Sequence, residues 1–181
     1  IKDILNNIKT ITRPEGRLNK IKVKNECFSV FIDYAHTPEA LKNSLLALKS
    51  KLSKTGKLFL LFGCGGERDK GKRKIMGKIA SKLADKVFIT DDNPRYECPK
   101  SIRKEIASNY KNFLNIAGRK KAIHKSISLM KKDDILLIAG KGHERTQEVK
   151  GRKIVFDDQK VAKDAILIKA KRWVLFGTLE Y

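Results

Sequence analysis

The chain has 181 residues, 41% hydrophobic and 34% charged, which is enough for one compact core and too little for two comfortable domains. Its formal net charge is +21 and favours anionic partners, but the lysines are scattered along the chain and aromatics make up only 7%. That pattern argues against a base-stacking surface and leaves a basic nucleic-acid-binding module as the alternative from a different class.

The elements can be read in chain order. Ile1 to Ile11 is amphipathic, and Thr12-Arg13-Pro14-Glu15-Gly16-Arg17 carries the Pro and Gly punctuation of a hinge. A domain boundary is expected there. The chain opens at Ile1 rather than at a methionine, so it reads as a piece of a longer polypeptide. Leu18 to Lys24 alternates like an edge strand, and Phe28 to Ile32 is a second, β-branched and aromatic strand. The spacing then predicts a helix over Pro38 to Leu52, a strand over Lys57 to Phe62, a helix over Lys74 to Leu83 and a strand over Val87 to Thr90. Helices over Pro99 to Tyr110 and Lys120 to Met130 precede a strand at Ile135 to Ala139, a short strand at Ile154 to Phe156 and a last helix at Gln159 to Lys171. Continuous apolar strands alternating with helices predict an α/β fold, a Rossmann-like, mostly parallel sheet flanked by helices. The longest apolar runs, Leu58 to Phe62 and Ile135 to Ala139, are strand-sized, so no membrane span is expected. Cys27, Cys64 and Cys98 are widely spaced and form no CxxC pair, which disfavours a disulfide framework or a zinc site and fits a reducing, cytoplasmic setting.

Chemistry gathers where strands end. Asp33-Tyr34-Ala35-His36-Thr37-Pro38, the run Gly63 to Gly71, Asp91-Asp92-Asn93-Pro94-Arg95 and Gly140-Lys141-Gly142-His143-Glu144 each follow a strand directly. In an open parallel sheet these carboxyl ends share one edge, where ligands bind. The glycine run is no dinucleotide fingerprint, because Arg68 stands where a small residue is required. Gly66 to Lys72 has Walker spacing, but Arg73 replaces the magnesium-binding hydroxyl. What remains is either an anion cradle, with Arg68, Lys70 and Lys72 beside a helix start, or a tight turn with solvated charges. Pro94 stiffens the loop bearing Arg95, whose guanidinium suits a carboxylate; a helix cap beside a surface arginine is the plain reading. His36 and His143 offer acid/base or hydrogen-bonding groups, His124 reads as structural, and three histidines so separated make a poor metal site. Glu144 suits a substrate ammonium or simply an exposed helix start.

Taken together with Gly16-Arg17, these motifs resemble, in order and spacing, the C-terminal domain of the Mur ligases, in the diaminopimelate-adding form of the tripeptide synthetases. The resemblance covers the chain from about Arg13 to the last helix. It implies ATP-dependent amide formation in peptidoglycan precursor synthesis: a D-glutamate carboxylate of UDP-N-acetylmuramoyl-L-alanyl-D-glutamate becomes an acyl phosphate, and an amino acid amine attacks it. It also implies three domains, with the UDP sugar on the first and the phosphate loop and Mg2+ ligands on the second. Residues 1–16 would then be the end of the central domain with the hinge, 17–171 the C-terminal domain, and 172–181 an unmatched tail. By the same resemblance Arg17, Asp33 and His36 would serve ATP. Arg68, Asn93, Arg95, Gly140 and Glu144 would bind meso-diaminopimelate, Arg95 gripping the distal carboxylate and Glu144 the neighbouring ammonium. A lysine-adding relative has no use for that arginine. The sequence holds no Gly-Lys-Thr phosphate loop, so the chain alone is expected to be inactive, as a piece of an intact ligase or as the product of a truncated gene.

Overall fold

The computed structural model describes residues 15–23, 27–107 and 110–176. Its main sheet has six strands in the order β1-β2-β6-β3-β4-β5. These are β1 (Asn19–Lys20), β2 (Ser29–Asp33), β3 (Leu58–Phe62), β4 (Lys86–Ile89), β5 (Phe113–Asn115) and β6 (Ile135–Ala139). β1 runs antiparallel to β2, and every other neighbouring pair is parallel. The helices are α1 (Pro38–Lys49), α2 (Gly71–Leu83), α3 (Pro99–Ala107), α4 (Arg119–Leu129) and α5 (Asp158–Phe176), and a separate hairpin joins β7 (Thr146–Val149) to β8 (Arg152–Val155).

Handedness explains the layers. Going from β2 through β3 and β4 to β5 the chain moves in one direction across the sheet, so right-handed crossovers put α1, α2 and α3 on one face; the return from β5 to β6 puts α4 on the other. The core divides accordingly. Leu58, Leu60, Phe62, Leu137 and Val87 pack under Leu41, Leu45, Met76 and Ile106, whereas Phe59, Leu61, Phe88, Leu136 and Ile138 pack under Ile123, Ile127, Ala162 and Ile166. Both faces of β3 and β6 are covered and all their residues are buried. Each fully buried Leu or Phe contributes roughly 1.5–3 kcal/mol relative to exposure, so these two strands anchor the domain.

Local chemistry sets the element ends. The Thr37 hydroxyl accepts from the Ala40 amide at 3.3 Å, and Pro38 fixes the first turn of α1. Asp157 Oδ1 accepts from the amides of Gln159 and Lys160 and opens α5. Arg119, at the start of α4, is fully buried; its guanidinium donates twice to Asp158 at 2.7 Å and once to the Ala139 carbonyl at 2.9 Å, tying both helices to the end of β6. Burial alone would lower the Arg119 pKa, but the Asp158 carboxylate outweighs it and keeps the guanidinium charged. Glu15 reaches Arg145 at 3.5 Å, in the stretch that follows β6.

The predicted elements differ from the structure mainly where the apolar signal is weak. The first strand shrinks to Asn19–Lys20, with residue 24 outside the described region. β5 was not expected, being three residues long and largely exposed at the sheet edge. β7 was not expected either, because Thr-Gln-Glu-Val has no apolar face. β8 covers Arg152–Val155 rather than Ile154 to Phe156, and its partner is reached through Lys150 and Gly151, both at positive φ (49° and 73°), the geometry of a two-residue hairpin turn. α2 begins at Gly71, a turn earlier than predicted, and α5 continues to Phe176. The amphipathic stretch Ile1 to Ile11 and residues 177–181 lie outside the described residues. Among the described residues no helix is long and apolar enough to cross a membrane.

Candidate functional site at the carboxyl edge of the sheet

The turns that follow β2, β3, β4 and β6 converge on one cleft of about 520 Å3, lined among others by His36, Arg68, Asn93, Arg95, Gly140 and Glu144. The crevice opens there because the chain leaves β3 toward one face of the sheet and leaves β6 toward the other. Arg68 and His36 are exposed, while Asn93, Arg95 and Glu144 are half-buried.

The glycine run is a stapled turn. Its Gly66 amide donates to the Asn93 carbonyl at 2.9 Å, and a Cβ at Gly66 would collide with the Pro94 carbonyl, so only glycine lets the two loops cross. The Glu67 amide donates to Glu97 Oε2 at 3.1 Å and the Gly71 amide to Asp69 Oδ1 at 2.8 Å. These amides are satisfied within the protein, so the cations available to an anion here are side chains, chiefly Arg68 and Lys72, the latter also donating to the His36 carbonyl at 3.0 Å. Arg73, in the place of a Walker hydroxyl, turns inward instead: it is fully buried and forks onto Glu97 at 2.6 and 2.8 Å, with Glu105 at 3.0 Å and the Gly65 carbonyl at 3.2 Å. Cys64 lines the cleft, but burial pushes its thiol up to about 12, which rules it out as a nucleophile at neutral pH.

This clamp has a pH signature. The hydrogen bonds from Arg73 bring the Glu97 carboxyl down from 4.5 to about 2. A carboxyl depressed on folding contributes stability that is complete above its unfolded value and disappears as pH falls through the folded one. The window is therefore from about pH 4.5 down to about 2. Arg73→Met is expected to lower the urea midpoint at pH 7 and to flatten the loss of stability across that window; urea melts at several pH values check it.

Around Asn93 the polarity is tightly defined. Asn93 Oδ1 accepts from the Lys141 ammonium and from the Glu148 amide, each at 3.0 Å, and Asn93 Nδ2 donates to Glu144 Oε2 at 3.3 Å. Lys141 Nζ also meets Glu144 Oε2 at 3.0 Å. Burial pushes the Glu144 carboxyl up, yet the Lys141 ammonium, Asn93 and His143 outweigh that and hold it below its ordinary value. Arg95 sits at φ 52°, its Nη1 donating to the Gly66 carbonyl at 2.8 Å and its Nε facing Glu148 Oε2 at 3.0 Å. The outer N–H groups of its guanidinium remain for a ligand. Its backbone exchanges hydrogen bonds with β7 and the hairpin turn, through the Glu148 carbonyl and the Lys150 amide. Gly140, at φ 112°, lies where a Cβ would press on Asp92 Oδ2 at 2.7 Å, so the floor of the cleft is backbone.

The residues expected to serve a nucleotide are placed less uniformly. Asp33 does not line the cleft: its carboxylate accepts from the amides of Leu18 at 2.6 Å and Ala35 at 2.7 Å and from the Ser44 hydroxyl at 3.3 Å, which fixes the turn after β2. Arg17 is exposed, with its guanidinium carbon 5.0 Å from the centre of the Tyr34 ring. That ring also lies 4.7 Å from His36 and 5.4 Å from His143, so Arg17, Tyr34 and the two histidines form one exposed rim beside the cleft. His124 lies apart on α4. Lys141, Glu148, Glu97 and Tyr34 carry no role legible in the sequence: the strand of Glu148 shows no alternation, and Lys141 meets Asn93 across 48 residues.

The family model described as "Mur ligase, glutamate ligase domain" matches residues 16–142. The chain belongs to the Mur ligase family. This Mur ligase domain is 50% identical over 169 residues to the UDP-N-acetylmuramoyl-L-alanyl-D-glutamate–2,6-diaminopimelate ligase of Rickettsia bellii, covering 92% of the chain and 35% of that relative. Its likeness to the enzyme of the same name from Prochlorococcus marinus is 44% over 173 residues, or 93% of the chain and 34% of the relative. A solved structure of an enzyme of that name superposes with a TM-score of 0.80 at 37% identity, over 90% of this chain and 33% of the other. The UDP-N-acetylmuramate-alanine ligase of Thermotoga maritima shares the fold, with a TM-score of 0.56 at 19% identity, over 87% of this chain and 30% of that one. The domain thus spans about a third of the length of the relatives it matches.

Proposed function

We propose that this Mur ligase domain selects meso-diaminopimelate and presents its amine within an ATP-dependent ligase acting on UDP-N-acetylmuramoyl-L-alanyl-D-glutamate. One observation carries the reading: Arg68, Asn93, Arg95 and Glu144, drawn from three separate turns, line a single cleft. Two cations with an amide donor suit carboxylates, and an ionised Glu144 suits an ammonium, so the cleft is complementary to a zwitterionic amino acid end. Diaminopimelate carries such a group at both ends; lysine lacks the second carboxylate and would leave a half-buried guanidinium without its ligand.

ATP, when bound, supplies the phosphoryl group that activates the acceptor carboxylate. On this chain the fitting residues are Arg17 and His36, a cation and a ring on the exposed rim around Tyr34, with Asp33 holding the turn that presents them. Among the described residues no group of three or more His, Cys, Asp or Glu stands together to hold a metal; in this reading the Mg2+ ligands are supplied by the central domain. The partners in this reading are the UDP-sugar dipeptide and the first two domains of the ligase. The unpaired Cys27, Cys64 and Cys98 suit a cytoplasmic setting.

Calorimetric titration of the 181-residue chain with meso-diaminopimelate and with L-lysine tests the assignment. Diaminopimelate is expected to bind at least about tenfold tighter, a difference of about 1.4 kcal/mol. Equal or tighter lysine binding overturns the choice of amino acid. Strongly salt-dependent RNA binding with no response to either amino acid would move the reading to a nucleic-acid module.

A further inference from the structure

Lys141 is fully buried and lies outside the cleft lining, yet its ammonium is within 3.0 Å of both Asn93 Oδ1 and Glu144 Oε2. A buried cation is costly unless strongly paired, so a position that serves only packing would favour an apolar side chain of the same length. An amide can face either way, but here two donors, Lys141 Nζ and the Glu148 N–H, converge on Asn93 Oδ1. Only one orientation satisfies both: oxygen toward Lys141 and the Glu148 amide, with Nδ2 donating to Glu144 and a second N–H left over on a residue that lines the cleft.

We propose that Lys141 is a positioning residue that fixes the hydrogen-bonding polarity of the amino-acid cleft, holding Asn93 as a donor toward a substrate carboxylate and Glu144 as an ionised acceptor toward a substrate ammonium. The inference rests on the amino-acid-binding reading above and adds to it the group that sets which neighbour donates and which accepts. It also accounts for the Gly140-Lys141-Gly142 sequence. Gly140 brings the backbone under the cleft, and the Glu144 amide donates to the Lys141 carbonyl at 2.9 Å, folding the acid back over the lysine that pairs with it.

The test compares Lys141→Met, which keeps length and removes charge, with Glu144→Gln and the double variant, all in the full chain. First, the Glu144 carboxyl is titrated by NMR in the unliganded protein. In the parent it is held low; in Lys141→Met burial remains without the ammonium, so its titration moves upward by at least about one pH unit. Second, diaminopimelate affinity is measured against pH. The parent is expected to keep its affinity as pH falls until Glu144 begins to protonate, whereas Lys141→Met loses affinity at a higher pH than the parent and recovers as pH rises through its raised Glu144 titration. Third, the losses from Lys141→Met and Glu144→Gln should be clearly less than additive in the double variant, since part of the Lys141 effect passes through Glu144; fully additive losses overturn the proposal. An unmoved Glu144 titration overturns the proposal, and so does loss of folding in both Lys141→Met and the double variant, which would make the lysine a fold-stabilising residue. A parent that binds no diaminopimelate would remove the amino-acid reading, while the ligand-independent titration would still decide the role of Lys141.

Discussion

Arg95→Ala is expected to weaken meso-diaminopimelate binding by about 100-fold, or about 2.8 kcal/mol, while changing ATP affinity by less than about twofold. The guanidinium is half-buried and pre-aimed: Gly66 and Glu148 hold two of its edges, and a left-handed backbone turns the side chain into the cleft. Truncation removes a charge-assisted contact that is already ordered before the ligand arrives, so little of its worth is spent on immobilising a side chain. Arg95→Lys is expected to recover only a small part, because an ammonium cannot hold Gly66 and Glu148 and still offer a fork to a carboxylate. Binding titrations with both ligands check this. A uniform loss for the two would point to a collapsed loop, and unchanged diaminopimelate affinity would remove Arg95 from the site.

The largest effect on stability is expected at Arg119, away from any ligand. Arg119→Met leaves Asp158 buried and without its two 2.7 Å hydrogen bonds, and opens the joint between α4, α5 and the end of β6. Removing one partner of such a pair costs about 3–5 kcal/mol, which in a domain of this size corresponds to a fall in melting temperature of about 10 °C. Replacing both partners, as Arg119→Met with Asp158→Leu, is expected to restore most of the loss, since no orphaned charge remains. Thermal and urea melts of the single and double variants give the answer. A double variant as unstable as the single would mean that the Ala139 carbonyl and Asp92, which also face the guanidinium, dominate the cost.

How much of this could be read in advance follows from where the signal resides. β3 and β6 were legible because five consecutive apolar residues admit little else in a chain of this composition, and each ends in a polar turn that had to meet the others at one edge. Arg68, Asn93, Arg95 and Glu144 follow β3, β4 and β6, so the parallel order of these strands is enough to bring them to one edge, where they line one cleft. Asp33 was legible as the end of a strand, but not as a carboxylate occupied by the Leu18 and Ala35 amides, because that depends on β1 folding back beside β2. Lys141 with Asn93 and Arg119 with Asp158 are contacts across 48 and 39 residues, and no local periodicity encodes them. The hairpin that buttresses Arg95 was missed for a different reason, since its strands bury little and owe their place to the Lys150-Gly151 turn.

The reversed direction of β1 has a practical consequence for anyone who tethers this molecule. Glu15 sits against Arg145, the residue after Glu144, so a probe coupled at Glu15 itself would stand beside the turn that carries that carboxylate. α5 travels the other way, and Lys169 already reaches the carbonyls of Ser128 and Met130 at the far end of α4. Coupling on α5 itself would leave the mouth clear, so the same ligand should give different apparent on-rates on surfaces prepared through Glu15 and through that helix.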